Sequence, residues 1–376
     1  MSRNPENRPT VAHYISKYLP LTENWIYRTI INHRKFRPIF LSRKKENLHL
    51  FPINDLHVLF DRSIVLRYFE IFYFVIFRYF ILFEQVCRKH HVKILHIHFG
   101  YHGAKSIGLK KRLNVPMVCS FYGDDAFAFK HQHKYRNLFE HADKILVLGT
   151  YMQQRLVALG CSPEKLVVHH LGIDVDKIKY RNRRVMPDEP VRFLIAASFL
   201  PKKGIDLAIK ALASLAPQNK FTLDIVGDGP LKETLLSEIK TGNIQDRVKL
   251  HGYRPYDYFI DLTYECHVFI QASRTTAENA KEGTPMAIVD AMASGLAVVS
   301  TRHSDIPEIV IDNETGYLAE ENNLSELIAC LKKIFDGRER ISVFSERGRA
   351  HVELEFDARK QTEKLEAYYE QLIKGI

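Results

Sequence analysis

Cysteine is scarce: five residues in 376 (Cys87, Cys119, Cys161, Cys266 and Cys330), scattered, odd in number and without a C-x-x-C pair. That excludes a disulfide scaffold and predicts reduced, mostly buried thiols in a cytosolic protein. A zinc centre needs clustered ligands, and none of the 18 histidines supplies that spacing around a cysteine. The first eight residues, MSRNPENR, lack the apolar core of a signal peptide, so export is not expected. Internal repeats and low-complexity tracts are also missing. Long apolar runs are few. The main one, Ile64 to Phe83, holds nine aromatics but carries Arg67, Glu70 and Arg78, too many charges for a membrane span. Its favoured reading is a core helix with one wet edge. The alternative is a helix on the membrane surface, aromatic side down and arginines toward anionic lipid.

What is present describes a globular protein with real cores: 46% hydrophobic and 26% charged residues. The formal charge of +10 is uneven. Residues 1–190 hold 31 basic and 16 acidic side chains, a balance of +15, whereas residues 191–376 hold 23 and 28, a balance of −5. Short β-branched runs alternate with helical stretches throughout. Strands are expected at Thr10–Ile15, Pro38–Leu41, Ile94–His98, Met117–Phe121, Lys144–Leu148 and Val167–His170. In the second half they are expected at Val191–Ala196, Phe221–Val226, Val248–Leu250, Val268–Ile270 and Ala297–Ser300. That alternation implies two doubly wound α/β domains with parallel sheets covered on both faces. The polar, proline-containing stretch Asp176–Pro190 reads as the linker, giving domains 1–185 and 186–376. The charged amphipathic helix at 356–376 is expected to pack on a domain surface. Two facing sheets of this kind bind ligands beyond their strand carboxyl ends and suit a group transfer.

The stretch Glu282–Gly295, EGTPMAIVDAMASG, follows a strand and opens a helix. Pro285 suits the first turn, Gly283 lets backbone approach a ligand, and the free N–H groups favour a phosphate or diphosphate. Glu282 and Asp290 flank that site, separated along the axis by roughly 8–12 Å at the helical rise. The second acid suits a ribose diol, because a carboxylate accepts from both hydroxyls.

This Glu282-x7-Asp290 word resembles the E-x7-E pattern of glycosyltransferase family 4, a group of retaining GT-B enzymes. The surrounding words fit too: PKKG at Pro201–Gly204, IVGDGPL at Ile225–Leu231, LHGY at Leu250–Tyr253, HHLGID at His169–Asp174, HIHFG at His96–Gly100 and SFYGDD at Ser120–Asp125. The likeness runs from about residue 10 to 370 and is nearest to members that build exopolysaccharide or capsule. It implies a GT-B fold, two Rossmann-like domains facing a central cleft, with acceptor on the first and nucleotide sugar on the second. Glu282 would meet the donor sugar at its reacting centre, as one of two catalytic candidates with Asp125. Gly283, Thr284, Pro285 and Met286 would surround sugar and diphosphate, Asp290 would hold the ribose, and Lys203 the diphosphate. Ser198 stands where the family carries arginine, so either Lys202 or another basic residue compensates or the donor is held more weakly. Tyr122 replaces the family histidine of a histidine–glycine–any–aspartate word. It can donate a hydrogen bond but not serve as a base near neutral pH. Asp125 matches the aspartate and could orient an acceptor hydroxyl; Glu23 is a weaker acceptor-side candidate. His96 and His98 are read as structural, with only one facing outward.

The resemblance implies transfer with retention, preferred here as front-face attack through an oxocarbenium-like state. No cofactor and no metal are expected, since no D-x-D pair lies near the donor pocket; Asp174-Val-Asp176 falls near the linker. The expected partners are a nucleotide-sugar donor, a lipid-linked glycan acceptor and an anionic membrane surface, at the inner face of the cytoplasmic membrane. A dinucleotide oxidoreductase is disfavoured because no G-x-G-x-x-G follows the first strand. A nucleic-acid binder is disfavoured because the basic residues are dispersed. A catalytically silent scaffold of a polysaccharide synthesis complex is the remaining alternative.

Overall fold

The computed structural model describes residues 8–20, 23–128 and 132–375. The chain divides into two compact units: residues 1–172 with 358–376, and residues 173–357.

The first unit is built on seven parallel strands: β1 (Thr10–Tyr18), β2 (Arg37–Lys45), β3 (Leu56–Val58), β4 (Val92–His98), β5 (Met117–Ser120), β6 (Lys144–Val147) and β7 (Leu166–Val168). Their order is β3-β2-β1-β4-β5-β6-β7. The register sets His13 of β1 beside His96 of β4. The sheet order reverses between β1 and β4, so the loops after those strands flank a crevice where doubly wound sheets bind ligands.

The second unit has six parallel strands: β8 (Val191–Ala196), β9 (Phe221–Val226), β10 (Val248–Gly252), β11 (Val268–Gln271), β12 (Ala297–Thr301) and β13 (Gly316–Ala319), in the order β10-β9-β8-β11-β12-β13. Period-two alternation splits its core between the two faces. Val191, Phe193 and Ile195 of β8 join one cluster with the helices Ile205–Leu215 and Leu324–Asp336. Leu194 joins the other with the helix Met286–Ser294. The switch point lies between β8 and β11, which brings together the loops that follow them.

Three expectations are corrected. The boundary falls at 172/173, because Asp176–Pro190 is packed structure of the second unit. Arg183 is buried and donates to the Thr263 and Ser294 carbonyls at 3.0 and 3.2 Å. Gly295, at φ +100°, lets the Arg181 carbonyl approach where any Cβ would collide. The terminal helix, Ala358–Lys374, belongs to the first unit, since Leu365 and Tyr369 complete a core with Val11, Phe36, Ile94, Val118 and Leu146. The Ile64–Phe83 run is no single core helix. It breaks at Arg78, a left-handed C-cap at φ +63°, into Ile64–Phe77 and Ile81–Lys89. In the first piece Ile64, Val65, Tyr68, Phe69, Phe72, Val75, Ile76 and Phe77 are 51–73% exposed. Only Glu70 is fully buried there, accepting from the N–H groups of Ile81 and Leu82 at 2.8 and 2.9 Å. Among the described residues no helix is long and apolar enough to cross a membrane. The five cysteines are free and buried, as their spacing predicts.

Candidate active site

In the second unit the site is assembled from the loops after β8 and β11. Gly204 closes the first loop at φ +62°, and a Cβ there would strike the Ala272 carbonyl, so only glycine lets the loops meet. Two adjacent lysines then reach across. Lys202 Nζ donates to the Lys281 carbonyl at 3.2 Å, and Lys203 Nζ pairs with Glu282 Oε2 at 2.6 Å, both partners of that ion pair being mostly shielded from water. Arg274 braces the first loop from below through the Pro201 carbonyl (2.9 Å) and Asp206 (3.0 Å). Ser198, where a cation is expected, is exposed.

Beyond Glu282 the chain runs through half-buried Gly283 and Thr284 to Pro285, the N-cap of Met286–Ser294. No side chain caps that helix. The Thr284 hydroxyl is buried and has no partner among the described residues. Half-buried Met286 opens the first turn. Asp290, one turn further in, is buried and accepts from the Tyr256 hydroxyl at 2.8 Å. The arrangement therefore places an uncapped positive helix end, a lysine and two carboxylates in one neighbourhood, with donors suited to a diphosphate.

Sequence reasoning missed what holds Glu282 in place. Its backbone N–H donates to His303 Nε2 at 2.9 Å, which leaves the proton on Nδ1; that nitrogen donates to Glu321 at 2.5 Å. Glu321 is fixed in turn by the Thr275 N–H (2.8 Å) and hydroxyl. Burial lowers the His303 pKa more than Glu321 raises it, so the ring is neutral and keeps this tautomer.

In the first unit, Glu23, Tyr122 and Asp125 all lie beyond strand carboxyl ends. Asp125 does not face a ligand. It is 1% exposed, and its oxygens accept from the N–H groups of Gly100 (2.8 Å), Tyr122 (2.9 Å) and Gly123 (3.0 Å). Its role is corrected from acceptor contact to clamp of the Tyr122 loop; burial pushes its pKa up to about 6 despite those bonds. Tyr122 is half-buried, its ring 6.1 Å from that of Trp25 and tilted 53° to it. Burial lifts the Glu23 carboxyl to about 7 against the pull of Lys17. Its Oε2 is buried without a partner among the described residues, and its charge is felt at both Tyr101 and Tyr122. His96 and His98 do not point apart. Residues two apart share a strand face, and their rings stack 4.6 Å from centroid to centroid. With His13 they form the one grouping of metal-ligand spacing among the described residues. The nitrogens of these rings, however, are engaged in hydrogen bonds with one another and with neighbouring side chains.

Residues 32–177 match the family model described as Glycosyltransferase Family 4, and residues 176–351 that described as Glycosyl transferases group 1. The chain belongs to this glycosyltransferase family. Among its relatives is the amylovoran biosynthesis glycosyltransferase AmsK of Erwinia amylovora, 35% identical over 69% of this chain and 66% of its own. Another is the putative colanic acid biosynthesis glycosyltransferase WcaL of Salmonella typhimurium, 30% identical over 66% of this chain and 62% of its own. The chain thus spans just under two thirds of these relatives' length. Its fold is that of Anabaena HepE, crystallised with UDP, at TM-score 0.78 and 17% identity, covering 96% of this chain and all of the other. A glycosyltransferase from Rickettsia africae matches at TM-score 0.79 and 18% identity, covering 98% and 100%. The GT-B fold expected of this family member is the one observed.

Proposed function

We propose that this glycosyltransferase family member moves a sugar from a nucleoside diphosphate sugar to a lipid-linked or oligosaccharide acceptor in bacterial surface polysaccharide synthesis, exopolysaccharide or capsule, with retention and without a metal. One observation carries the reading: the Lys203–Glu282 ion pair beside the uncapped start of Met286–Ser294. The diphosphate docks at that helix end, taking the Thr284 hydroxyl and the Lys203 ammonium, which offsets the charge growing on the departing nucleotide. Release of Lys203 to the diphosphate frees Glu282 for the sugar. Asp290, steadied by Tyr256, takes the ribose. HepE's complex with UDP makes uracil the first base to try.

The acceptor's setting follows from the helix Ile64–Phe77. Its exposed residues 65, 68, 69, 72, 75 and 76 recur at helical spacing and form one apolar stripe. At its start Arg43, Lys44 and Arg67 gather over the Phe60 ring at 5.4, 5.6 and 5.7 Å. Aromatics beside cations suit the interface of an anionic bilayer, which supports a peripheral position on the cytoplasmic face.

Screening a panel of nucleotide sugars for release of nucleoside diphosphate tests the reading, with Glu282→Ala as the control. Release from one donor, lost in the variant while its circular dichroism is unchanged, is expected. A variant turning over at the wild-type rate removes Glu282 from the site. Binding without release by the wild-type protein, with any acceptor fraction, identifies the scaffold role instead.

A further inference from the structure

A chain of hydrogen bonds crosses the interior of the first unit. His33 Nδ1 meets Glu366 Oε1 at 3.0 Å, His33 Nε2 meets His13 Nε2 at 3.2 Å, His13 Nδ1 meets His98 Nε2 at 3.1 Å, and His98 Nδ1 meets the Tyr122 hydroxyl at 2.6 Å. All four carriers behind Tyr122 are buried. With every ring neutral, only one proton arrangement satisfies every link. Glu366 Oε1 also accepts from the N–H groups of Arg34, Lys35 and Phe36 at 2.9, 2.9 and 3.1 Å, so it is an acceptor. His33 must therefore donate from Nδ1 and accept at Nε2. His13 then donates from Nε2 and accepts at Nδ1, His98 does the same, and Tyr122 must donate its hydroxyl proton inward. Every ring is neutral in this scheme, in keeping with the lowered pKa values that burial gives His13 and His98.

The consequence falls on Tyr122. Its proton is spent on His98. The lone pairs of the hydroxyl oxygen remain. A cavity bordered by His96, His98, Ser120, Tyr122, His169 and His170 lies against this end of the chain, with room for about one water-sized group. We propose that Glu366, acting through His33, His13 and His98, fixes Tyr122 as a hydrogen-bond acceptor toward a sugar hydroxyl of the bound substrate. Glu366 and the three histidines are positioning residues; Tyr122 is the contact. The sugar as ligand rests on the transfer reading above, whereas the proton arrangement stands apart from it.

Two measurements test this on the full chain. Side-chain ¹⁵N NMR of the histidine-labelled protein without substrate should find His33 protonated on Nδ1 and His13 and His98 on Nε2 at neutral pH. A proton on His98 Nδ1 would reverse the chain and overturn the proposal, whatever the protein transfers. With the donor and acceptor found by screening, Tyr122→Phe and His13→Phe should each raise KM about tenfold, the worth of one hydrogen bond, with kcat little changed. Combined, they should do no more than Tyr122→Phe alone. Multiplication of the two effects would mean that His13 acts independently of Tyr122 and would equally overturn it. Should His13→Phe fail to fold, the tautomers decide.

Discussion

Glu23 has the most consequential titration in the first unit. A carboxyl lifted to about 7, with a buried oxygen that has no partner among the described residues, exchanges its proton near neutral pH, as a base or acceptor-orienting group requires. Because its charged form is the one that accepts, kcat/KM should rise as pH climbs through about 7 and then level. Glu23→Gln should remove that inflection and lower the plateau roughly a hundredfold, within the range of acid–base contributions. An inflection that survives the substitution assigns the titration elsewhere. Single residues also mark where reading the sequence stops. Glu282 and Asp290 were singled out by helix-start chemistry and a spaced motif, and Lys203 only by the family resemblance. His303, Glu321 and Thr275 were not, since only folding joins them in series behind the Glu282 backbone, from three separate loops. Asp125 was legible as a position, not as a role: an aspartate word cannot say whether its oxygens face a ligand or three N–H groups.

Elements were read well where burial makes them plain. Parallel strands covered on both faces appear as apolar runs, and eleven of the thirteen were placed from such runs. The two missed, β3 and β13, are short and lie at the sheet edges. The terminal helix was recognised by its amphipathic period, which tells that a face is buried but not against which unit. The Ile64–Phe77 helix shows the opposite limit: apolar composition predicted a core element, yet most of its large side chains face out. This separates stability from binding. Val65→Ser with Phe72→Ser alters only exposed positions and should leave unfolding free energy within about 0.5 kcal/mol. The same pair should abolish cosedimentation with anionic vesicles. Glu70→Ala should do the reverse, costing about 2–3 kcal/mol by stranding the Ile81 and Leu82 N–H groups and the Arg62 partner. Vesicle binding unaffected by the serine pair would take the membrane out of the account.

At the scale of the whole molecule, the histidines divide the two units by their response to acid. In the first unit burial holds His13 and His96 well below their ordinary pKa and lowers His98, His102 and His169 to about 3 each. In the second, burial brings His267 to about 4 and lowers His303. A histidine with a depressed folded pKa takes up its proton first in the unfolded chain. Its contribution is therefore complete above about 6.5 and is lost as pH falls toward the folded value, at about 1.4 kcal/mol per pH unit. Two carboxyls of the first unit work the other way. Asp125 at about 6 and Glu23 at about 7 favour the folded state as pH drops, but that gain is complete once their unfolded partners protonate near pH 4. Below that point the first unit continues to lose stability through its histidines, while His267 has already reached its folded pKa. The first unit should unfold at the higher pH. The chain's single tryptophan, Trp25, lies in that unit and reports on it alone, whereas far-ultraviolet circular dichroism reports on both. In an acid titration the Trp25 emission change should come first, accompanied by loss of only part of the helical signal, with the remainder lost at lower pH. A single transition seen at one midpoint by both probes would show that the buried histidines do not set the acid limit of the first unit.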